Sequence, residues 1–134
     1  MIAYADSSAL VKLVLAEPES ADLHSHLQAY EAVVSSSLAE GEVTRAARRA
    51  SGVAAAERAS AVLAGIGLLA IDTTVLRRAA SLPPLVLRSL DAIHLASALE
   101  LGGDVTVVAY DRRLLQAAVA LDLRVLSPAA DPPA

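Results

Sequence analysis

The sequence predicts an α/β fold, a three-layer sandwich in which helices cover both faces of a five-stranded parallel sheet. Three observations carry that expectation. Short β-branched or aliphatic runs alternate along the chain with longer segments of helical periodicity. Aspartates stand at points where a strand gives way to a helix. The 134 residues suit a single domain, and 55% of them are hydrophobic, so a core can be buried without covalent staples.

The first strand is IAYA at 2 to 5, and Asp6 caps a helix at about 7 to 15. Pro18 fits the start of a second helix at about 19 to 29, and AVVSS at 32 to 36 forms the second strand. Helices at about 37 to 51 and 53 to 65 come next. The latter places Ala55, Ala59, Val62, Leu63 and Ile66 on one side, which is a core face. LLAI at 68 to 71 is the third strand, and Asp72 caps a helix at about 74 to 82 that Pro83 and Pro84 terminate. Ser89 stands in the capping position before LDAIHLASALEL, a helix at about 90 to 101 closed by Gly102 and Gly103. VTVVAY at 105 to 110 is the fourth strand, Asp111 caps a helix at 112 to 121, and LRVL at 123 to 126 is the last strand. The Pro- and Ala-rich tail from about 128 is loosely held. All of residues 1 to 134 form one domain.

Composition removes several function classes. With no Cys there are no disulfides, thiolate nucleophiles or Cys-based zinc sites. No Gly-rich phosphate loop, G-x-S-x-G elbow or H-E-x-x-H motif occurs. The apolar N-terminus lacks a basic leader and is interrupted by Asp6 and Lys12, so neither signal peptide nor membrane span is expected, and the chain reads as cytoplasmic. A net charge of -4 argues against nucleic acid, yet ten of the eleven basic residues are Arg, and several are grouped: Arg45, Arg48 and Arg49; Arg77 and Arg78; Arg112 and Arg113. Each group alone reads as a solvated helix face.

Four acids, Asp6, Glu42, Asp91 and Asp111, lie in or beside apolar segments where an unpaired carboxylate is expensive. Gathered together they need raised pKa values or a bound cation. If the chain winds outward through three strands and crosses back to the fourth, the order is 3-2-1-4-5, and Asp6 and Asp111 flank the crevice between strands 1 and 4. Taken singly, Asp6 and Asp111 are explained as helix caps and Asp91 as a carboxylate at a helix N-terminus. Glu42 has no capping role, and its simplest structural reading is an ion pair with Arg45 or Arg49. Glu40 points about 200° away on the helical wheel. Gly41 suits close packing of helix on sheet. His94, one turn after Asp91, reads as hydrogen-bonded packing rather than a ligand, and His24 and His26 as surface residues.

The segments YADSSALVKL, SSLAEGEVTRAARR, LRSLDAIHLASAL and VVAYDRRLLQAA, around the four acids, resemble the PIN domain of VapC-type toxins nearly end to end. The resemblance implies the 3-2-1-4-5 sheet, a metal-dependent ribonuclease and a cognate VapB-type antitoxin. Its acidic positions fall on Asp6, Glu42, Asp91 and Asp111, and its hydroxyl after the first acid on Ser7. Ala109 departs from the Thr or Ser of many relatives.

Hard carboxylate oxygens select Mg²⁺ or Mn²⁺, held by Asp6, Asp91 and Asp111, with Glu42 a further ligand or proton acceptor. Arg45, Arg49, Arg112 and Arg113 are candidates to grip RNA phosphates. Tyr4, Tyr30 and Tyr110 are the only aromatic platforms, two of them expected to be buried. The expected partners are RNA, the antitoxin and a second copy of the chain. Two rival readings carry the same acids: a receiver-like or phosphatase-like domain, which needs a Lys near the phosphate where only Lys12 is on offer, and an inactive partner-binding module.

Overall fold

The computed structural model describes residues 1–130. Five strands, β1 (Ile2–Ala5), β2 (Ala32–Ser36), β3 (Gly67–Leu69), β4 (Val105–Val108) and β5 (Arg124–Leu126), form one sheet of order 3-2-1-4-5, parallel at every pairing. Six helices connect them: α1 (Ser7–Val14), α2 (Ser20–Leu27), α3 (Ala39–Ala64), α4 (Thr73–Ser81), α5 (Ser89–Glu100) and α6 (Arg112–Ala120). The predicted topology is the observed one. Strand direction and the right-handed crossover leave few alternatives once each strand is followed by a helix.

Side chains alternate across β1 as the pleat requires. Ala3 and Ala5 face a core layer built with α1, α2 and α3, around Leu10, Leu23 and Val43. Tyr4 points the opposite way, into a second layer with α4, α5 and α6 around Leu95, Val107 and Leu114. Small residues on the first face let α1 and α3 pack closely, which compensates for a core without Phe or Trp.

Several boundaries moved. The two helices expected at 37 to 51 and 53 to 65 meet end to end as α3, with a break at Ser51 (φ -148°, ψ 19°) and Gly52 (φ 73°, ψ -154°). Helix α3 begins at Ala39, so Glu42 lies in its first turn rather than in its interior. Ser89 is the first helical residue of α5, not its cap; Arg88 holds that position and makes no capping bond. Pro18 lies in the turn before α2, where the Ser20 hydroxyl accepts from the Glu17 N–H at 2.9 Å. Gly41 needs no close approach, since a Cβ there would meet nothing within 4 Å. At the carboxyl end of the chain Pro128 is buried and accepts a hydrogen bond from the Tyr110 hydroxyl at 2.8 Å. Ala129 and Ala130 are exposed, with the Ala130 N–H donating to the Ser127 carbonyl at 3.0 Å, and the remainder of the tail expected to be loose, residues 131 to 134, lies outside the described residues.

Candidate active site

The site forms where β1 and β4 end side by side. The Asp6 N–H donates to the Val108 carbonyl at 3.1 Å, carrying the ladder one residue beyond the strand pair Ala5 and Val108. Ser8 then ties the two strand ends together, donating to Asp6 Oδ1 at 2.6 Å and accepting from the Tyr110 N–H at 2.9 Å. That strap fixes Asp6 beside the turn that carries Asp111.

Both strand-end aspartates cap helices, as the sequence suggested, and each does so with one oxygen only. Asp6 Oδ1 accepts from the Ala9 N–H at 3.0 Å, and Asp111 Oδ1 accepts from the N–H groups of Arg113 and Leu114 at 2.9 and 3.2 Å. The second oxygen of each is left for another partner. Capping and ligation, alternatives at the level of sequence, are compatible here.

Asp6 is 4% exposed. Burial pushes its carboxyl up to about 6; the Ser8 hydroxyl, the charge of His94 and the Ala9 N–H pull the other way, while the Asp111 charge adds to the rise. Glu42 responds oppositely. Burial raises it, but hydrogen bonds from His94 and Ser7 outweigh that and hold it below the usual carboxylate range. Its Oε1 accepts from Ser7 Oγ at 2.6 Å and from His94 Nε2 at 2.8 Å. His94 Nδ1 in turn meets the buried Tyr4 hydroxyl at 2.8 Å. Burial raises the Tyr4 pKa, and on the other side of the ring Nε2 is the nitrogen that donates to Glu42.

Asp91, in the first turn of α5, and Asp111, at the start of α6, are joined by a side chain that the sequence reading passed over. Arg88 donates from Nε to Asp91 Oδ2 at 3.2 Å and from Nη2 to Asp111 Oδ2 at 3.1 Å. Its three-residue spacing from Asp91 was the available signal. Its partner 23 residues away was not visible locally. His94 was correctly expected to be hydrogen-bonded and buried, but its tie to Glu42 depends on α3 meeting α5. Glu42 makes no ion pair with Arg45 or Arg49; both arginines are exposed, as are Arg112, Arg113 and Glu40. His24 and His26 are exposed as expected. Of the tyrosines only Tyr4 is fully buried, while Tyr30 and Tyr110 are partly so. Lys12 pairs with Glu19 at 3.1 Å and lies over the Tyr110 ring, which engages it away from any phosphoryl group.

Among the described residues no three His, Asp or Glu side chains stand close enough to close on one ion. The donor set nevertheless fits Mg²⁺ or Mn²⁺. Mg²⁺ keeps several waters and is held through one or two carboxylates with substrate phosphates, rather than by an all-protein cage. Asp6 supplies a buried carboxylate with Oδ2 outside the capping bonds, and Asp91 and Asp111 already share one cation, the Arg88 guanidinium.

Comparison with known proteins agrees with this fold. The chain matches the PIN domain family over residues 3–120. It is 44% identical over 126 residues to Ribonuclease VapC46 of Mycobacterium tuberculosis (strain ATCC 25618 / H37Rv), covering 93% of this chain and 96% of that protein. Ribonuclease VapC47 of Mycobacterium tuberculosis (strain CDC 1551 / Oshkosh) is 37% identical over 132 residues, covering 95% and 97%. In fold the chain resembles Mycobacterium tuberculosis VapC20, a sarcin-ricin loop cleaving toxin, with TM-score 0.76 and 16% identity over 94% of this chain and 99% of that one. It also resembles VapBC-1 from nontypeable Haemophilus influenzae, with TM-score 0.68 and 12% identity over 95% and 98%.

Proposed function

The chain belongs to the PIN domain family, among the VapC ribonucleases, and from that premise we propose that it is the toxin of a type II toxin-antitoxin pair, an endoribonuclease dependent on Mg²⁺ or Mn²⁺. A cognate VapB-type antitoxin holds it in check, and it acts in the cytoplasm on RNA. Among the described residues no helix is long and apolar enough to cross a membrane. The observation that carries the reading is Asp6, a buried carboxylate that spends Oδ1 on the start of α1 and keeps Oδ2 for the crevice it shares with Asp111.

Asp6, Asp91 and Asp111 are the proposed ligands, with Glu42 beside them. A bound ion supplies a water of lowered pKa and neutralises charge developing on the phosphodiester. The protein's own part is positioning. Ser8 and the Ala9 N–H lock one Asp6 oxygen, so the other has a fixed direction. Ser7 and His94 hold Glu42 on a single oxygen and keep it ionised, which suits orienting a water or a cation more than storing a proton. Arg45 and Arg49 on α3 and Arg112 and Arg113 on α6 are free to meet flanking phosphates.

The apolar side chains of Leu85 and Val86, 94% and 88% exposed, support a protein partner close to the site, either the antitoxin or a second copy in a homodimer. Asp6→Asn and Asp91→Asn should lower Mg²⁺-dependent RNA cleavage at least about a hundredfold and abolish growth arrest, with an unchanged circular dichroism spectrum. Full cleavage by either variant would overturn the site assignment. Coexpression with the product of an adjacent short open reading frame should relieve the arrest caused by the unmodified chain.

A further inference from the structure

Arg88 occupies carboxylate oxygens that a divalent ion held by Asp91 and Asp111 would need. Asp111 spends Oδ1 on the cap of α6, and the oxygen it has left, Oδ2, accepts from Arg88 Nη2. Asp91 offers Oδ2 to Arg88 Nε. Capping of the helix does not account for this placement. Arg88 stands at the N-cap of α5, makes no capping bond, and carries a positive charge where the macrodipole disfavours one. The two carboxylates hold it there.

The hold is readily broken. The Arg88 side chain is 64% exposed, against 15% for Asp91 and 27% for Asp111, so the guanidinium end of each pair stands in water and is screened there. Beside it opens a hollow of about 640 Å³, lined by Pro83, Val86, Leu87, Arg88, Asp91 and Arg113. That is room for a nucleotide, with two guanidinium groups at hand whose planar fork matches a phosphate.

We propose that Arg88 exchanges partners during the reaction cycle: it neutralises Asp91 and Asp111 before the ion arrives, is displaced by the ion, and then takes a phosphate oxygen of the RNA lying in the adjoining hollow. The proposal rests on the reading of these acids as metal ligands. Under it, ion and RNA bind with positive coupling, because the ion frees the arginine that the RNA uses and, by reciprocity, RNA favours the ion.

The test compares the whole chain with Arg88→Gln and with Arg77→Gln, a control that removes the same charge from an exposed arginine on α4, outside the carboxylate pair and the proposed phosphate contacts. Free Mn²⁺ is titrated by electron paramagnetic resonance. Binding of a hydrolysis-resistant 2′-O-methyl phosphorothioate oligonucleotide is followed by fluorescence anisotropy with and without Mn²⁺. Arg88→Gln should bind Mn²⁺ about tenfold more tightly than the unmodified chain, and Arg77→Gln within about twofold of it. The enhancement of oligonucleotide binding by Mn²⁺ should fall at least about threefold in Arg88→Gln, with no difference in the absence of metal. Equal Mn²⁺ affinity in Arg88→Gln and the unmodified chain, or equal gains in both variants, overturns the competition. Tighter Mn²⁺ binding with undiminished coupling to the oligonucleotide overturns the exchange. Failure of all three proteins to bind Mn²⁺ overturns the metal reading of the acids and the proposal with it.

Discussion

At the scale of single residues, Asp6 shows what a buried carboxylate costs the fold. Its pKa is raised by burial to about 6, above the roughly 4 of an unfolded aspartate, so the folded chain binds this proton more tightly than the unfolded chain. The stability it contributes is complete below about pH 4 and is lost as pH rises through 6, on the order of 3 kcal/mol in all. Metal-free Asp6→Asn should therefore unfold at higher urea than the unmodified chain at pH 8 and at nearly the same urea at pH 4. Added Mg²⁺ should stabilise only the chain that retains Asp6. Equal stability at pH 8 would mean that Asp6 is not desolvated as described. His94 makes a second case. Replacing it with Leu strips the buried Tyr4 hydroxyl of its partner, a loss of about 1–3 kcal/mol, whereas Tyr4→Phe together with His94→Leu removes both polar groups. Denaturation of the double variant should show a total well below the sum of the two singles; strict additivity would deny the Tyr4 to His94 bond any energetic role.

At the scale of elements, two glycines of α3 should respond with opposite signs. Gly52 sits at φ 73° and ψ -154°, a conformation that only glycine adopts freely, so Gly52→Ala should cost about 1–3 kcal/mol although a Cβ would meet nothing within 4 Å. Gly41 is helical with the same open space, so Gly41→Ala should gain about 0.5–1 kcal/mol, and thermal melts of the pair check both signs. The sequence placed a boundary near 52 because the core-face pattern restarts there, and it read β1, β2 and the caps Asp6, Asp72 and Asp111 correctly, since each is written in neighbouring residues. It misplaced β3, which is three residues long at the edge of the sheet, and mistook Ser89 for a cap. In the site the acids were legible as expensive carboxylates in apolar segments. Their partners were not. Ser7 to Glu42, His94 to Glu42 and Arg88 to Asp111 span 35, 52 and 23 residues and exist only after α1, α3, α5 and α6 have docked on the sheet.

At the scale of the whole molecule, a net charge of -4 and an RNA substrate are reconciled by where the charges sit. At the amino ends of the strands, charge is internally paired: Arg124 meets Asp104 at 3.3 Å, and the terminal ammonium meets Glu31 at 3.2 Å. At the carboxyl ends, Arg112 and Arg113 follow Asp111 on the first turn of α6, where the helix dipole opposes a cation, and the described residues give them no ion pair. Cations kept in an unfavourable place and left unpaired are suited to an external anion. Each phosphate neutralised on a single strand contributes about 0.7 to the slope of log affinity against log salt. Replacing both arginines with Gln should therefore lower that slope by about 1.4 for a single-stranded oligonucleotide, measured with Mn²⁺ present, and weaken binding uniformly across sequences. Arg124→Gln removes an equal charge from the opposite end of the sheet and should leave the slope unchanged. A common change in both proteins would show that RNA senses only net charge, and an unchanged slope in the first would move the phosphate path away from α6.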